Sequence, residues 1–271
     1  MAMAQHRKFS DISLGGLLGA GALIALALLL APTLVVVILS FTDGYSLKFP
    51  PQGYSLRWYE KLLDNEQLME AALNSVRVAL WCTGLSVLLG TAAALGVSRS
   101  TSRWAKVLDG VFMSPLVLPA LAFGLAALMY FSTLGIPLSF ATLVVGHTVL
   151  GVPYVMRTTM AALTQLPPVL LESSASLGAS RWYTLRKVTL PLIAPGVGAG
   201  AFICFMSSFD NIPVSLFLRD ASTDMLPIRM WQDLENRMDV SIAAISSVMV
   251  FFTVALMVLM ERLTGISQRI R

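Results

Sequence analysis

The chain alternates long apolar runs with short polar interruptions, and the runs set its architecture. A helix needs ~20 apolar residues to cross the hydrocarbon core of a bilayer, and stretches of about that length run over 14–40, 73–97, 108–131, 140–162, 194–217 and 241–263. Backbone groups in lipid must be paired within their own segment, so each run predicts a helix. The fold class that follows is all-α: a polytopic membrane bundle of about six transmembrane helices, read as one transmembrane domain over 1–271. The first run follows Arg7 and Lys8 as a secretory signal would. It far exceeds the ~7–15 apolar residues at the centre of such a signal, and is expected to be a retained anchor.

The interruptions at 41–72, 163–193 and 218–240 differ in character. The first is turn-rich at Asp43-Gly44 and Pro50-Pro51-Gln52-Gly53, then amphipathic through Leu56, Trp58, Tyr59, Leu62 and Leu63. Arg57, Trp58 and Tyr59 suit a membrane interface; the segment is either a lid over helix ends or a surface for a soluble partner. The second is the most informative. Pro167 and Pro168 fit the first turn of a helix, where proline's missing N–H costs nothing, and Gly178 fits a left-handed cap at its end. Ser180 then caps a second helix whose Trp182, Leu185 and Val188 share one face, with Arg181, Arg186 and Lys187 free for lipid phosphates or a partner and Pro191 expected to stop it.

Composition narrows the class. With 56% hydrophobic and only 13% charged residues and a mean hydropathy of +0.75, the chain lacks the polar groups to clothe a soluble globule. Cytoplasmic loops retain Lys and Arg. Placing both termini in the cytoplasm puts twelve of the nineteen basic residues and four of the fifteen acidic ones inside, a net +8 there against −4 outside. The basic excess, net +4, is therefore topological and gives no argument for nucleic acid.

Several residues within the runs carry possible chemistry. Pro115 and Pro119 bend the third run, either as a static kink or as a hinge and cavity wall; Pro153 bends the end of the fourth. Ser208, Phe209, Asp210 and Asn211, ahead of Pro213, form the most polar group at membrane depth. Ionisable residues there are costly and usually face a pathway, so they either line a translocation route or mark a wet break near the helix end. His147, with no second ligand nearby, reads as a hydrogen-bonded core residue. Cys82 and Cys204 read as reduced packed thiols, and no spacing in the chain makes a metal motif.

The loop at 163–193 resembles the cytoplasmic coupling loop of type I ABC importer permeases, the inner-membrane components of binding-protein-dependent transport. That pattern is Glu-Ala-Ala, a Gly four positions after the second Ala, and an aliphatic-x-Leu-Pro ending. Glu172, Gly178, Val188, Leu190 and Pro191 stand in register, with Ser173 and Ser174 replacing the alanines small for small. Further blocks resemble the spermidine/putrescine-type subgroup: Ser55-Leu56-Arg57-Trp58-Tyr59, Asn74-Ser75, Ser208-Phe209-Asp210-Asn211 and Leu226-Pro227-Ile228-Arg229-Met230-Trp231.

The resemblance implies a non-catalytic permease subunit in a bacterial inner membrane, surrounded by lipid. Its partners would be a second, related permease subunit, two cytoplasmic ATPases and a periplasmic solute-binding protein. ATP and Mg would sit on the ATPases, since this chain has no Gly-Lys pair and hence no P-loop. Glu172, Ser173, Ser174, Ala175, Leu177, Gly178 and Ala179 would form the helix docked in the ATPase. The solute is expected to be a polyamine or a related cationic or zwitterionic molecule. An ion-coupled secondary transporter would instead show inverted repeats and paired intramembrane carboxylates, against which Asp210 stands alone. An intramembrane enzyme would need a His-Glu-x-x-His or Gly-x-Ser-x-Gly motif, and the chain has neither.

Overall fold

The computed structural model describes residues 8–98, 100, 102–236 and 240–264, with side chains from residue 16 to residue 262. Arg7, Arg99, Arg237, Arg269 and Arg271 of the charge argument lie outside the described residues. Among the described residues twelve α-helices follow one another: α1 (Lys8–Ser40), α2 (Arg57–Leu63), α3 (Glu66–Ser98), α4 (Arg103–Val117), α5 (Ala120–Thr133), α6 (Phe140–Thr164), α7 (Pro168–Ser176), α8 (Arg181–Thr184), α9 (Leu190–Phe209), α10 (Ile212–Leu218), α11 (Leu226–Asn236) and α12 (Ser241–Thr264). Five described stretches are long and apolar enough to cross a membrane, or six if α4 and α5 together make one span. The fold groups into two compact units, one drawn from Met1–Asp64 and Asn236–Phe251, the other from Asn65–Glu235 and Phe252–Arg271.

Two of the expected spans are not continuous helices. The run at 108–131 is divided between α4 and α5, which meet at an angle of 104°. Pro115 is accommodated within α4, whereas Leu118 and Pro119 are extended, with ψ of 140° and 131°. The residue before a proline is pushed out of the helical region, and here that turns the chain. The run at 194–217 likewise breaks at Asp210–Asn211. α9 ends at Phe209, and α10 starts afresh with the Asn211 side chain accepting from Val214 N–H at 2.9 Å and Pro213 in its first turn.

Pro191 does not stop the helix that Ser180 opens. α8 passes through a π-helical turn at Leu185–Thr189 into α9, giving one apolar stretch from Arg181 to Phe209. Leu190 N–H reaches back five residues to the Leu185 carbonyl. That wider turn lets the helix continue ahead of a residue that has no N–H to donate. Pro153 similarly lies inside α6 without ending it.

In the smaller unit, Trp58 is buried rather than anchored at an interface. Its indole N–H donates to the Thr42 carbonyl at 3.0 Å, Tyr45 meets its ring edge-on, and the Arg57 guanidinium lies 4.2 Å from the Tyr45 centroid while donating to the Gly44 carbonyl. The turn-rich segment thus folds onto α2 by its own side chains.

The larger unit is built on α3, α6 and α9, which pack directly against one another. In lipid there is no hydrophobic drive between helices, so close van der Waals approach must hold them. Glycines supply it. A Cβ at Gly90 of α3 would stand 2.9 Å from the Val152 carbonyl of α6. On α9, Gly196 and Gly200 form a small-xxx-small pair: a Cβ on Gly196 would lie 2.9 Å from the Thr158 carbonyl, and one on Gly200 2.8 Å from the Val155 Cα. Cys82, Val155 and Cys204 fill the seam, with the two sulfurs brought 3.8 Å apart. A second core gathers Val78, Phe131, Leu143, Val214, Leu218 and Ile228 from α3, α5, α6, α10 and α11.

Gly200→Val should destabilise the larger unit by about 1–3 kcal/mol, the usual cost of overpacking, because its Cβ would collide with the Thr158 hydroxyl and with the Val155 Cα of α6. Gly84→Ala, where a Cβ meets nothing within 4 Å, should be neutral or slightly stabilising. Thermal unfolding of the detergent-solubilised protein checks the contrast; equal melting temperatures for the two variants would refute it.

Candidate functional site

The loop between α6 and α9 is shaped by local chemistry. Pro167 precedes α7 and Pro168 occupies its first turn. At the other end Gly178 has φ +78°, which only glycine adopts freely. Gly178 N–H donates to the Ala175 carbonyl at 2.9 Å and Ala179 N–H to the Ser174 carbonyl at 3.1 Å. These are the paired bonds of a Schellman cap, which close the free carbonyls and reverse the chain. Ser180 then caps α8, its hydroxyl accepting from Tyr183 N–H at 3.2 Å, and Ser174 Oγ meets Thr184 Oγ1 at 2.8 Å to tie the two short helices together.

No residue of α7 is buried. Glu172, Ser173, Ala175, Gly178 and Leu177 are exposed, Leu177 at 88%, while Ser174 and Ala179 are half-covered. A concavity of about 660 Å³ lies along the loop, lined by Leu170, Ser173, Ser174, Gly178, Ala179 and Tyr183 among others. The polar residues singled out in the sequence thus form one exposed helix with a firm turn behind it. An exposed apolar tip beside an exposed carboxylate is a shape that can enter a groove, and small serines would let such a groove come close.

The second group of residues sits at the α9–α10 break. Asp210 is exposed, whereas Ser208 and Phe209 are buried. Phe205 stacks on Phe209 with centroids 5.9 Å apart, and Phe252 meets Phe209 at 5.3 Å. Asn211 serves as the cap of α10, so its side chain is committed to the backbone. The break leaves an exposed carboxylate at the end of a span, with the packed rings of Phe205, Phe209 and Phe252 behind it. His147 is buried in α6 with both ring nitrogens partnered, Nδ1 to Ser208 Oγ at 2.8 Å and Nε2 to Ser215 Oγ at 3.1 Å.

The blocks at 74–75 and 226–231 come together at the N-terminal part of α3. Ser75 Oγ accepts from Leu226 N–H at 2.9 Å, and the Asn74 side chain donates to the Asp224 carbonyl at 3.3 Å. Arg219 and Arg229 pair with the Asp224 carboxylate at 2.6 and 3.3 Å. In the adjoining turn, hydrogen bonds led by the Thr223 hydroxyl hold the Asp220 carboxyl below its ordinary range. The segment 219–228 is therefore strapped to the start of α3. Sequence reasoning missed three features here. The Gly196-x-x-x-Gly200 spacing was readable; the meeting of Phe252 with Phe209, and of Ser215 with His147, had no local signal because each joins residues distant along the chain.

Apolar helices, two of the spans interrupted, with one exposed, capped helix in the polar loop between α6 and α9, define a multi-pass membrane transport subunit. The chain belongs to the family of binding-protein-dependent transport system inner membrane components, whose model matches residues 86–270. It is 31% identical to the spermidine/putrescine transport system permease protein PotC of Haemophilus influenzae, over 88% of this chain and 92% of that one. It is 27% identical to the protein of the same name from Escherichia coli K12, over 90% and 93%. Its fold matches a chain of a bacterial ABC transporter involved in the import of the acidic polysaccharide alginate, with a TM-score of 0.68 and 14% identity, covering 95% of this chain and 98% of that chain. The protein is a permease subunit of an ABC importer, located in the inner membrane, and an ion-coupled carrier is not favoured.

Proposed function

We propose that this chain forms half of the pathway through which a polyamine, delivered by a periplasmic binding protein, enters the bacterial cytoplasm. The observation that carries the reading is the likeness to a spermidine/putrescine permease along 92% of that protein's length. The exposed Asp210 supports a cationic solute. A charge pair in wet surroundings gains about 1 kcal/mol at ~4 Å, enough to guide a cation and too little to trap it. The other wall of the pathway would be a second, different permease of the same family.

In this reading both termini lie in the cytoplasm, where the loop at 163–193 meets one of two ATPases that hold ATP and Mg. Glu172, Ser173, Ser174, Ala175, Leu177, Gly178 and Ala179 form the docking helix. Nucleotide-driven closure of the ATPases carries α7 as a lever and alternates the access of the bundle. The Schellman cap supports that role, because a lever transmits motion only if its exit angle is fixed.

Membrane vesicles holding this chain, its partner permease, the ATPase and the binding protein should accumulate labelled spermidine or putrescine only when ATP is supplied. Asp210→Asn, which keeps size and hydrogen bonding but removes the charge, should lower that uptake while leaving ATPase assembly intact. Wild-type rates in this variant would make the role of Asp210 structural.

Gly178→Val strains the left-handed cap by about 1–2 kcal/mol and misdirects α7. At normal membrane levels it should lose both uptake and co-purification with the ATPase, as should Glu172→Ala to a lesser degree. Full uptake by both variants would sink the docking assignment.

Orientation has its own test. Single cysteines at Ser46 and Ser222 should react with an impermeant thiol reagent in intact spheroplasts, and one at Ser180 should not. The reverse pattern would turn the chain over and remove α7 from the side where ATP is found.

A further inference from the structure

α6 and α9 flank the docking loop, and both run from it to the α9–α10 break. α6 ends at Thr164, four residues before Pro168 opens α7; α9 begins beyond α8 and ends at Phe209, next to Asp210. The backbone of the elbow is held weakly. Asp210 N–H still donates to Met206, Asn211 N–H reaches Ser208 at 3.3 Å, and the helical bonding then starts again in α10. The relation of α10 to α9 must therefore come from side chains.

His147 supplies it. The imidazole donates through one nitrogen and accepts through the other, and hydroxyls can take either role, so one buried ring binds Ser208 before the break and Ser215 after it. All three residues are within 4% of full burial. An aliphatic residue would fill the space without the cost of dehydrating two nitrogens. What the imidazole adds is a directional link from α6 to both sides of the elbow at once. The packing around it is equally close. A Cβ on the neighbouring Gly146 would collide with Leu218 of α10, and one on Gly124 of α5 would stand 2.9 Å from the Pro213 carbonyl.

We propose that His147 is a positioning residue that couples the docking loop to the Asp210 elbow, by pinning α9 and α10 to α6 so that a movement entering at α7 reorients the elbow. The proposal rests on the docking and pathway readings given above. Without the pin, α6 would still move with α7, but α10 would slip against it. Hydrolysis would then continue while the solute is no longer carried.

The test uses the complete transporter in proteoliposomes, with three measurements on the same preparation: labelled polyamine uptake, ATP hydrolysis stimulated by the binding protein, and thiol labelling of Leu216→Cys, an exposed site on α10, with and without nucleotide trapping. Coupling energies between sites typically correspond to 5–150-fold effects, so His147→Ala should lower uptake about tenfold, abolish the nucleotide-dependent change in labelling and leave stimulated hydrolysis within about twofold. Ser215→Ala, which removes one hydroxyl and little packing, should shift all three in the same direction, and His147→Gln, whose amide reaches toward Ser215, should recover part of the uptake. Retention of uptake and labelling change in both alanine variants overturns the proposal, as does a proportional fall of uptake and hydrolysis. If the unaltered complex shows the labelling change without polyamine uptake, the substrate reading fails and the pin is judged on labelling alone.

Discussion

Close approach of helix backbones at glycine is the constraint on which the larger unit depends. Apolar side chains gain nothing by leaving lipid for one another, so α3, α6 and α9 need contact at backbone distance. Gly90, Gly196 and Gly200 permit it, and the carbonyls of Val152 and Thr158 occupy the space that side chains would have taken. A framework packed in this way cannot deform gradually. Motion must pass through it as rigid displacement or be absorbed where the helices are interrupted.

The interruptions lie where that division of labour puts them. α4 and α5 part at Pro119, and α9 and α10 part at Asp210–Asn211, both in stretches whose hydrophobicity alone would make unbroken spans. The two helices that flank the exposed loop run on from it without a break, α6 over Phe140–Thr164 and the α8–α9 stretch over Arg181–Phe209. Where α9 had to pass a proline near that loop, a π-turn kept it intact. The chain therefore keeps helical continuity between the loop and Phe209, and on that side the break comes only at Asp210–Asn211.

Much of this was legible in the residues, and what was not has a physical cause. Span positions followed from hydrophobicity, because lipid imposes one rule on every crossing. The boundaries of α7 followed from Pro167, Pro168, Gly178 and Ser180, whose preferences are local and strong. Pro191 misled because its effect depends on the turn before it, and a π-turn has no sequence mark as plain as a capping serine. Trp58 misled differently: a tryptophan near a span usually marks an interface, but Thr42 and Tyr45 fold back to bury it. The partners of His147 lie 61 and 68 residues away, beyond anything a local pattern records.

The exposure of α7 has a thermodynamic corollary. A helix of nine residues is shorter than the ~12–15 at which isolated helices become marginal in water, and this one buries none of its residues against the rest of the chain. Its persistence falls to its ends: a proline already set at the helical φ, a glycine that closes the last carbonyls, and one hydroxyl contact to α8. Preorganisation of this kind removes ordering entropy before any encounter. In a docked complex the caps would thus add to affinity through the free state, by fixing the helix before contact, in addition to anything they touch.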